Sequence, residues 1–268
     1  MRWPDARAAW LLPALAVLLG GCSRLTFVRP DASRGDYTHT AREVRVADGG
    51  RTSVLAARDR LLLAQHRLAA GKVDEAREHA TAVLELDPKS ADAHTVLALV
   101  AGRNAQPGVA GDHFARAAEL APRGDTFNNY GAWLCASGRP AESLGWFDRA
   151  LDDPGYRDRA GALANAGDCA ARAGQDGRAE RDLRQALELD PDNVVALGAM
   201  ASVAYRSGDP FEARAFSQRR LAAGPADAAA LQLASQIEEK LGDRAAAERY
   251  TRRMRAEFGD HPAQAGDQ

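Results

Sequence analysis

The chain has 268 residues, 46% of them hydrophobic, enough for one large domain or an extended repeat array with a sizeable core. Only 6% are aromatic and much of the apolar content is alanine, the best helix former, so the composition points to an all-α protein without a thick aromatic core. With 35 basic and 37 acidic residues the net charge is −2, which argues against nucleic acid as the main partner, because that partner needs a basic patch.

The first element is apolar. Arg2 and Arg7 precede a run from Ala8 to Leu19. Spanning a membrane takes ~20 apolar residues, so this run is too short to cross and has the layout of an export signal, assigned to residues 1–21. Its end, Leu19-Gly20-Gly21-Cys22, resembles a bacterial lipobox, in which a leucine and two small residues precede the cysteine that becomes acylated. The resemblance implies lipidation, palmitate included, at Cys22. Ser23 follows, where an aspartate would favour retention in the inner membrane, so the expected location is the periplasmic face of the outer membrane. Residues 22–54 contain Pro30, Gly35, Gly49 and Gly50 and show no helical period; they read as an extended tether. The stretch Leu25 to Val28 could instead pack on the first repeat.

From residue 55 to 262 the chain repeats. One small residue recurs at Ala64, Ala98, Gly131, Gly167, Ala201 and Ser235, with spacings of 34, 33, 36, 34 and 34. A second small column runs through Ala76, Ala110, Ser143, Ala179, Ala213 and Ala247. A turn glycine separates the two at Gly71, Gly138, Gly174, Gly208 and Gly242, and a proline closes most units, at Pro88, Pro122, Pro154, Pro191 and Pro225. Antiparallel helices approach closely only where facing side chains are small. Glycine supplies the positive φ that ends the first helix, and proline cannot continue the second.

A 34-residue helix-turn-helix period is the tetratricopeptide (TPR) signature. Six units fit, predicting a right-handed TPR superhelix of six helix-turn-helix repeats, followed by a polar tail at 263–268. The second unit has Ala105 at its turn, and the loop around Asp152 to Arg159 carries two extra residues. Arg220 and Met254 replace small residues, so looser packing is expected there. The arginine-rich last helix suits a terminal cap.

TPR geometry implies a concave groove lined by the first helix of each unit. On that geometry Arg58, Leu61, Gln65 and Leu68 face the groove in unit one, and Asp92, Thr95 and Leu99 in unit two. Asp125, Asn128 and Cys135 follow in unit three, and Ser202 and Tyr205 in unit five. Leu61 and Leu68 would form an apolar strip, unless they touch the tether or the phase is off by one residue. Leu61 and Asp125 stand where a chaperone-type carboxylate clamp would have lysines, so that ligand is not expected.

Cys135 and Cys169 fall on the first helices of adjacent units. A bridge needs Cα atoms within ~7 Å, whereas packed helix axes lie ~8–10 Å apart, so two free thiols are expected. The six histidines show no metal-ligand spacing, and no Walker loop, G-x-S-x-G or H-E-x-x-H is present. No enzyme activity, metal, cofactor or small-molecule substrate is expected.

The stretch Asn128-Asn129-Tyr130-Gly131, then Cys135-x-x-Gly138-Arg139, Ala141-Glu142-Ser143 and Phe147-x-x-Ala150-Leu151, resembles the type IV pilus biogenesis and stability lipoproteins of the PilF/PilW pilotin family. The long loop before Arg159, Asn165-Ala166-Gly167 and the arginine-rich late units continue the likeness. The resemblance implies an outer-membrane lipoprotein that binds secretin subunits and promotes their outer-membrane localisation and multimerisation. Another TPR adaptor role, toward peptidoglycan hydrolases or outer-membrane assembly factors, is the alternative.

Overall fold

A computed structural model describes residues 49–259. The export signal, Cys22, most of the tether and the 263–268 tail lie outside the described residues.

Twelve helices, and no strand among the described residues, form six antiparallel pairs. They are α1 (Gly49–Ala69) with α2 (Val73–Leu86), α3 (Ala91–Arg103) with α4 (Pro107–Leu120), and α5 (Gly124–Ala136) with α6 (Pro140–Asp152). The series continues with α7 (Arg159–Arg172) and α8 (Asp176–Leu189), α9 (Val194–Ser207) and α10 (Pro210–Ala223), and α11 (Ala228–Leu241) and α12 (Arg244–Phe258). Each helix packs on its neighbours in order, giving the expected TPR superhelix. Helix α1 starts at Gly49, inside the stretch read as tether.

The two small columns meet inside each pair. Ala64, Ala76, Ala98, Ala110, Ser143, Ala179, Ala201, Ala213 and Ala247 are all buried. The column residue shrinks to glycine where the partner helix presents bulk. At Gly167 a Cβ would come 2.5 Å from Cγ of Leu183, so only glycine fits. At Ser235 the hydroxyl donates to the Ala247 carbonyl at 3.1 Å, tying α11 to α12.

The turn column also behaves as its chemistry dictates. Gly71, Gly138, Gly174, Gly208 and Gly242 have φ between 73° and 88°. In unit two Ala105 holds the same left-handed conformation, at φ 51°. A non-glycine residue is penalised there by ~1–2 kcal/mol, while glycine loses ~0.5–1 kcal/mol more chain entropy on folding. Ala105→Gly should therefore raise the unfolding free energy by ~0.5–1 kcal/mol, read as a higher denaturant midpoint with an unchanged slope.

Helix starts are capped by short polar side chains: the residue before the helix accepts from a backbone N–H at Ser90, Asp158, Asn193, Asp209, Asp227 and Asp243. Buried carboxylates are paired. Asp182 accepts from Arg178 Nε at 3.1 Å, and Glu238 on α11 accepts from Arg214 Nε on α10 at 3.1 Å.

The loop from Asp153 to Asp158 is six residues long, where the other connections between pairs have three or four. Its extra length folds back on α5. Asp153 accepts from the Gly124 N–H at 2.6 Å and the Gly155 N–H at 2.8 Å, and these bonds hold its carboxyl below the usual carboxylate range. Tyr156 joins Phe127, Trp146 and Tyr130 in one cluster, where burial pushes its phenol up to about 12.

Looser packing at Arg220 was expected. Instead its mostly buried guanidinium donates to the Pro225 carbonyl at 3.0 Å and pairs with Asp227 at 2.8 Å. The bulk fits because Gly198 and Gly224 lie alongside. A cavity of about 400 Å³ opens next to it.

Candidate partner-binding groove

The first helices of the units, α1, α3, α5, α7, α9 and α11, carry the residues assigned to the groove. The structure distributes them unevenly.

In unit one, Arg58 and Gln65 are exposed, but Leu68 is only 7% exposed. It packs with Ala64, Ala76, Ala80, Val96, Leu97 and Val100. Leu61 is half-buried against the same cluster and against Ala57, Val83 and Ala93. The expected apolar strip is therefore corrected: Leu68 is core and Leu61 largely so, because α2 and α3 both close on that side of α1. Among the described side chains, the large apolar residues α1 leaves in solvent are Val54, Leu55, Leu62 and Leu63. In the run Leu61-Leu62-Leu63 each residue is turned about 100° from the last, so no more than one or two can face the core. That geometry was the available signal.

A cleft of about 520 Å³ sits at the start of α1 and the end of α2. Val54, Arg58, Leu61, Leu86 and Asp92 line it. Val54 is 68% exposed and Leu86 42%, so both can be changed without opening the core.

In units two and three the groove is polar and internally paired. Asp92 on α3 and Asp125 on α5 both hold Arg123, the latter at 2.7 Å. Thr95 spends its hydroxyl on the Ala91 carbonyl of its own helix at 3.0 Å. Leu99 is 46% exposed. Asn128 accepts from Asn165 Nδ2 at 3.1 Å, joining α5 to α7.

Cys135 and Cys169 are bonded as a disulfide, with Cα atoms 5.8 Å apart. This overturns the expected free thiols. The axis separation used in that expectation is an average; here Ala132, Ala166 and Ala170 surround the contact and let α5 and α7 converge. Cys135 is thus buried and not a groove-lining thiol. Among the described residues, the group with metal-ligand geometry is Cys135, Asp168 and Cys169, and the disulfide occupies both sulfurs.

Further along, Ser202 lines the cavity beside Arg220, together with Val194, Val195 and Leu233. Tyr205 is half-buried against the Ala204, Ala213 and Ile237 cluster, with Lys240 Nζ 4.9 Å from its ring centre.

Six stacked helical hairpins with a mixed polar and apolar concave face define a tetratricopeptide repeat protein. The tetratricopeptide repeat model itself matches residues 160–193. The likeness to type IV pilus biogenesis proteins of the PilF/PilW family holds in both sequence and fold. The type IV pilus assembly protein PilF of Pseudomonas aeruginosa is 26% identical over 181 residues, 67% of this chain and 72% of that protein. The crystal structure of PilW, a widely conserved type IV pilus biogenesis factor, superposes with a TM-score of 0.68 at 29% identity, covering 76% of this chain and 94% of PilW. A structure of Pseudomonas aeruginosa PilF gives a TM-score of 0.66 at 24% identity, over 78% of this chain and 95% of that one.

Proposed function

We propose that this protein is a pilotin of a type IV pilus system: an outer-membrane lipoprotein, acylated at Cys22, that binds secretin subunits and brings them to the outer membrane, where they multimerise. The observation that carries the reading is the likeness to PilW and PilF over two thirds to three quarters of the chain rather than over one repeat. A TPR array is suited to the task, since stacked units expose a long concave surface while each contacts only its neighbours.

The unit-one cleft is the proposed contact. It offers Val54 and Leu86 as apolar seats and Arg58 and Asp92 as charged walls. A helix or strand of the secretin with apolar side chains on one face would fill it. The cleft also lies at the start of the array, nearest in sequence to the lipid-bearing end.

Deleting the protein in its native host should leave the secretin as monomers, without the multimers that resist SDS. Normal multimers with disturbed cell shape would overturn the pilotin reading and favour an adaptor for peptidoglycan hydrolases or assembly factors. Restoring Val54→Asp plus Leu86→Asp should not rescue multimers, although the protein keeps its melting temperature. Leu68→Ser serves as the contrast: it should lower the melting temperature through loss of core, by ~2–5 kcal/mol of stability.

A further inference from the structure

The first and last units of the array are finished differently. In later units the second helix of one unit covers the outer face of the next unit's first helix. On α3, Ala93 packs against Val83 and Leu84 of α2; on α9, Ala196 and Met200 pack against Leu183 and Ala186 of α8. Leu84, Ala118, Leu151 and Leu187 form the column that reaches toward the following unit. On α12 the same column is Arg255, so the last unit shows water a charged surface, as a terminal cap must.

Unit one keeps leucine where such a cap would place charge. Helix α1 packs on α2 and α3. Its other side carries Leu55, Asp59, Leu62, Leu63 and His66, with Ala70 just past its end, and all six are exposed. Steps of three and four residues put them in one stripe. Leu55, Leu62 and Leu63 are 53%, 56% and 36% exposed. One repeat and more along the chain, the Leu63 position is held by Leu97, Ala166, Met200 and Ala234, all buried. The Asp59 position is held by Ala93, Thr126, Ala162 and Ala196, buried as well. The stripe is thus the seat that a preceding helix fills everywhere else in the array.

We propose that a second copy of this chain fills that seat, α1 against α1, in an antiparallel pair about a two-fold axis passing between residues 62 and 63. A two-fold interface requires one surface to be complementary to itself, and this stripe is. About that axis Leu62 meets the partner's Leu63, and Leu63 the partner's Leu62. Asp59 meets the partner's His66, whose ring N–H donates to the carboxylate, and the same pair recurs on the other side of the axis. Leu55 meets the partner's Ala70, bulk against a small side chain. Two leucine contacts thus lie at the centre, flanked by two polar pairs.

One face of a 21-residue helix buries less than the ~800 Å² per partner of a tight complex, so the dimer should dissociate in the micromolar range. Val54 and Arg58 of the unit-one cleft stand about a quarter turn or more around α1 from the seam, because successive helical residues are about 100° apart. Pairing therefore leaves both clefts open. A dimer offers two of them at a fixed spacing, and a partner made of repeated subunits is held by both at once.

The test is analytical ultracentrifugation of the full chain in density-matched detergent over a concentration series. A monomer–dimer equilibrium is expected, weakened at least ~100-fold by Leu62→Asp plus Leu63→Asp, since each leucine is buried twice in a two-fold pair. Those side chains lie in solvent in the single chain, so the melting temperature of the variant should hold. Asp59→His alone and His66→Asp alone should each weaken the dimer several-fold, and the two together should restore it, because the swap rebuilds both polar pairs. Should a variant misfold, a cysteine at position 63 decides in the native host: Leu63→Cys should yield a disulfide-linked dimer, and Gln65→Cys, on the groove side of α1, should not. A chain that stays monomeric at every concentration, a double swap no stronger than the single changes, or a Leu63→Cys cross-link to a different protein would each overturn the self-pairing. None of these readouts measures secretin, so the pilotin reading stands or falls separately.

Discussion

Replacing Phe147 by alanine should lower the unfolding free energy by ~3–5 kcal/mol. The ring is 0% exposed and is the largest fully buried side chain among the described residues. It lies on α6 at the seam of units three and four, packed with Cys135, Leu144, Ala166, Ala170 and Ala179. Across from it is Gly131, where a Cβ would come 3.0 Å from the ring, so the backbone of α5 rests directly on the phenyl edge. Few neighbours can move in to refill the space. The surrounding residues are alanines whose short side chains are already in contact, and the disulfide fixes the approach of α5 to α7. The cavity should therefore persist, placing the cost toward the upper end of the range. The effect should also spread: in a repeat array each unit contacts only its neighbours, so a weak seam in the middle uncouples the two halves. Chemical denaturation should show a lower midpoint and, in the variant, two resolved transitions where the parent has fewer. A loss below about 1 kcal/mol would mean that the seam collapses onto the cavity.

Removing the Cys135–Cys169 bridge should be about as severe. The bond joins residues 34 apart, the length of one repeat. Closing a loop of that size removes chain entropy from the unfolded state worth ~3–4 kcal/mol at 25 °C. The double change Cys135→Ala plus Cys169→Ala, or reduction of the parent, should lower stability by that amount. Cys135 and Cys169 should contribute no thiol to the unfolded, unreduced chain, and two after reduction. Small residues on both sides of the bond mean that the alanine variant leaves little void, so the measured loss reports mainly the cross-link. The Asn128–Asn165 hydrogen bond joins the same two helices, at 3.1 Å. Adding Asn165→Ala to the cysteine pair should therefore cost less than the sum of the separate changes, because each tie preserves the geometry of the other and either change alone already loses that coupling. Two free thiols in the unreduced chain would sink the bridge.

The sequence by itself determined the repeat. A small residue every 33 to 36 positions, a glycine at the turn and a proline at the end are local signals, because helix formation and termination depend on neighbours within a turn or two. Hence the twelve helices fall where the period puts them, and even the Ala105 turn obeys the column. The irregular loop before Arg159 was legible as length, though not that Tyr156 and Asp153 would fold onto α5. Which face a given residue shows was decided only by the tertiary structure. A helical residue one place along points about 100° away, so a small error of phase carries a leucine from groove to core. That is why Leu61 and Leu68 read as groove residues but are held by α2 and α3, while Leu62 and Leu63 remain outside. The disulfide was hidden for a related reason. Sequence spacing places two cysteines on neighbouring helices, but whether their Cα atoms lie 5.8 Å apart depends on how closely those helices pack, and that is set by the alanines each presents to the other. The His94–His113 contact belongs to the same class: two residues 19 apart meet only because the hairpin of unit two brings α3 and α4 face to face.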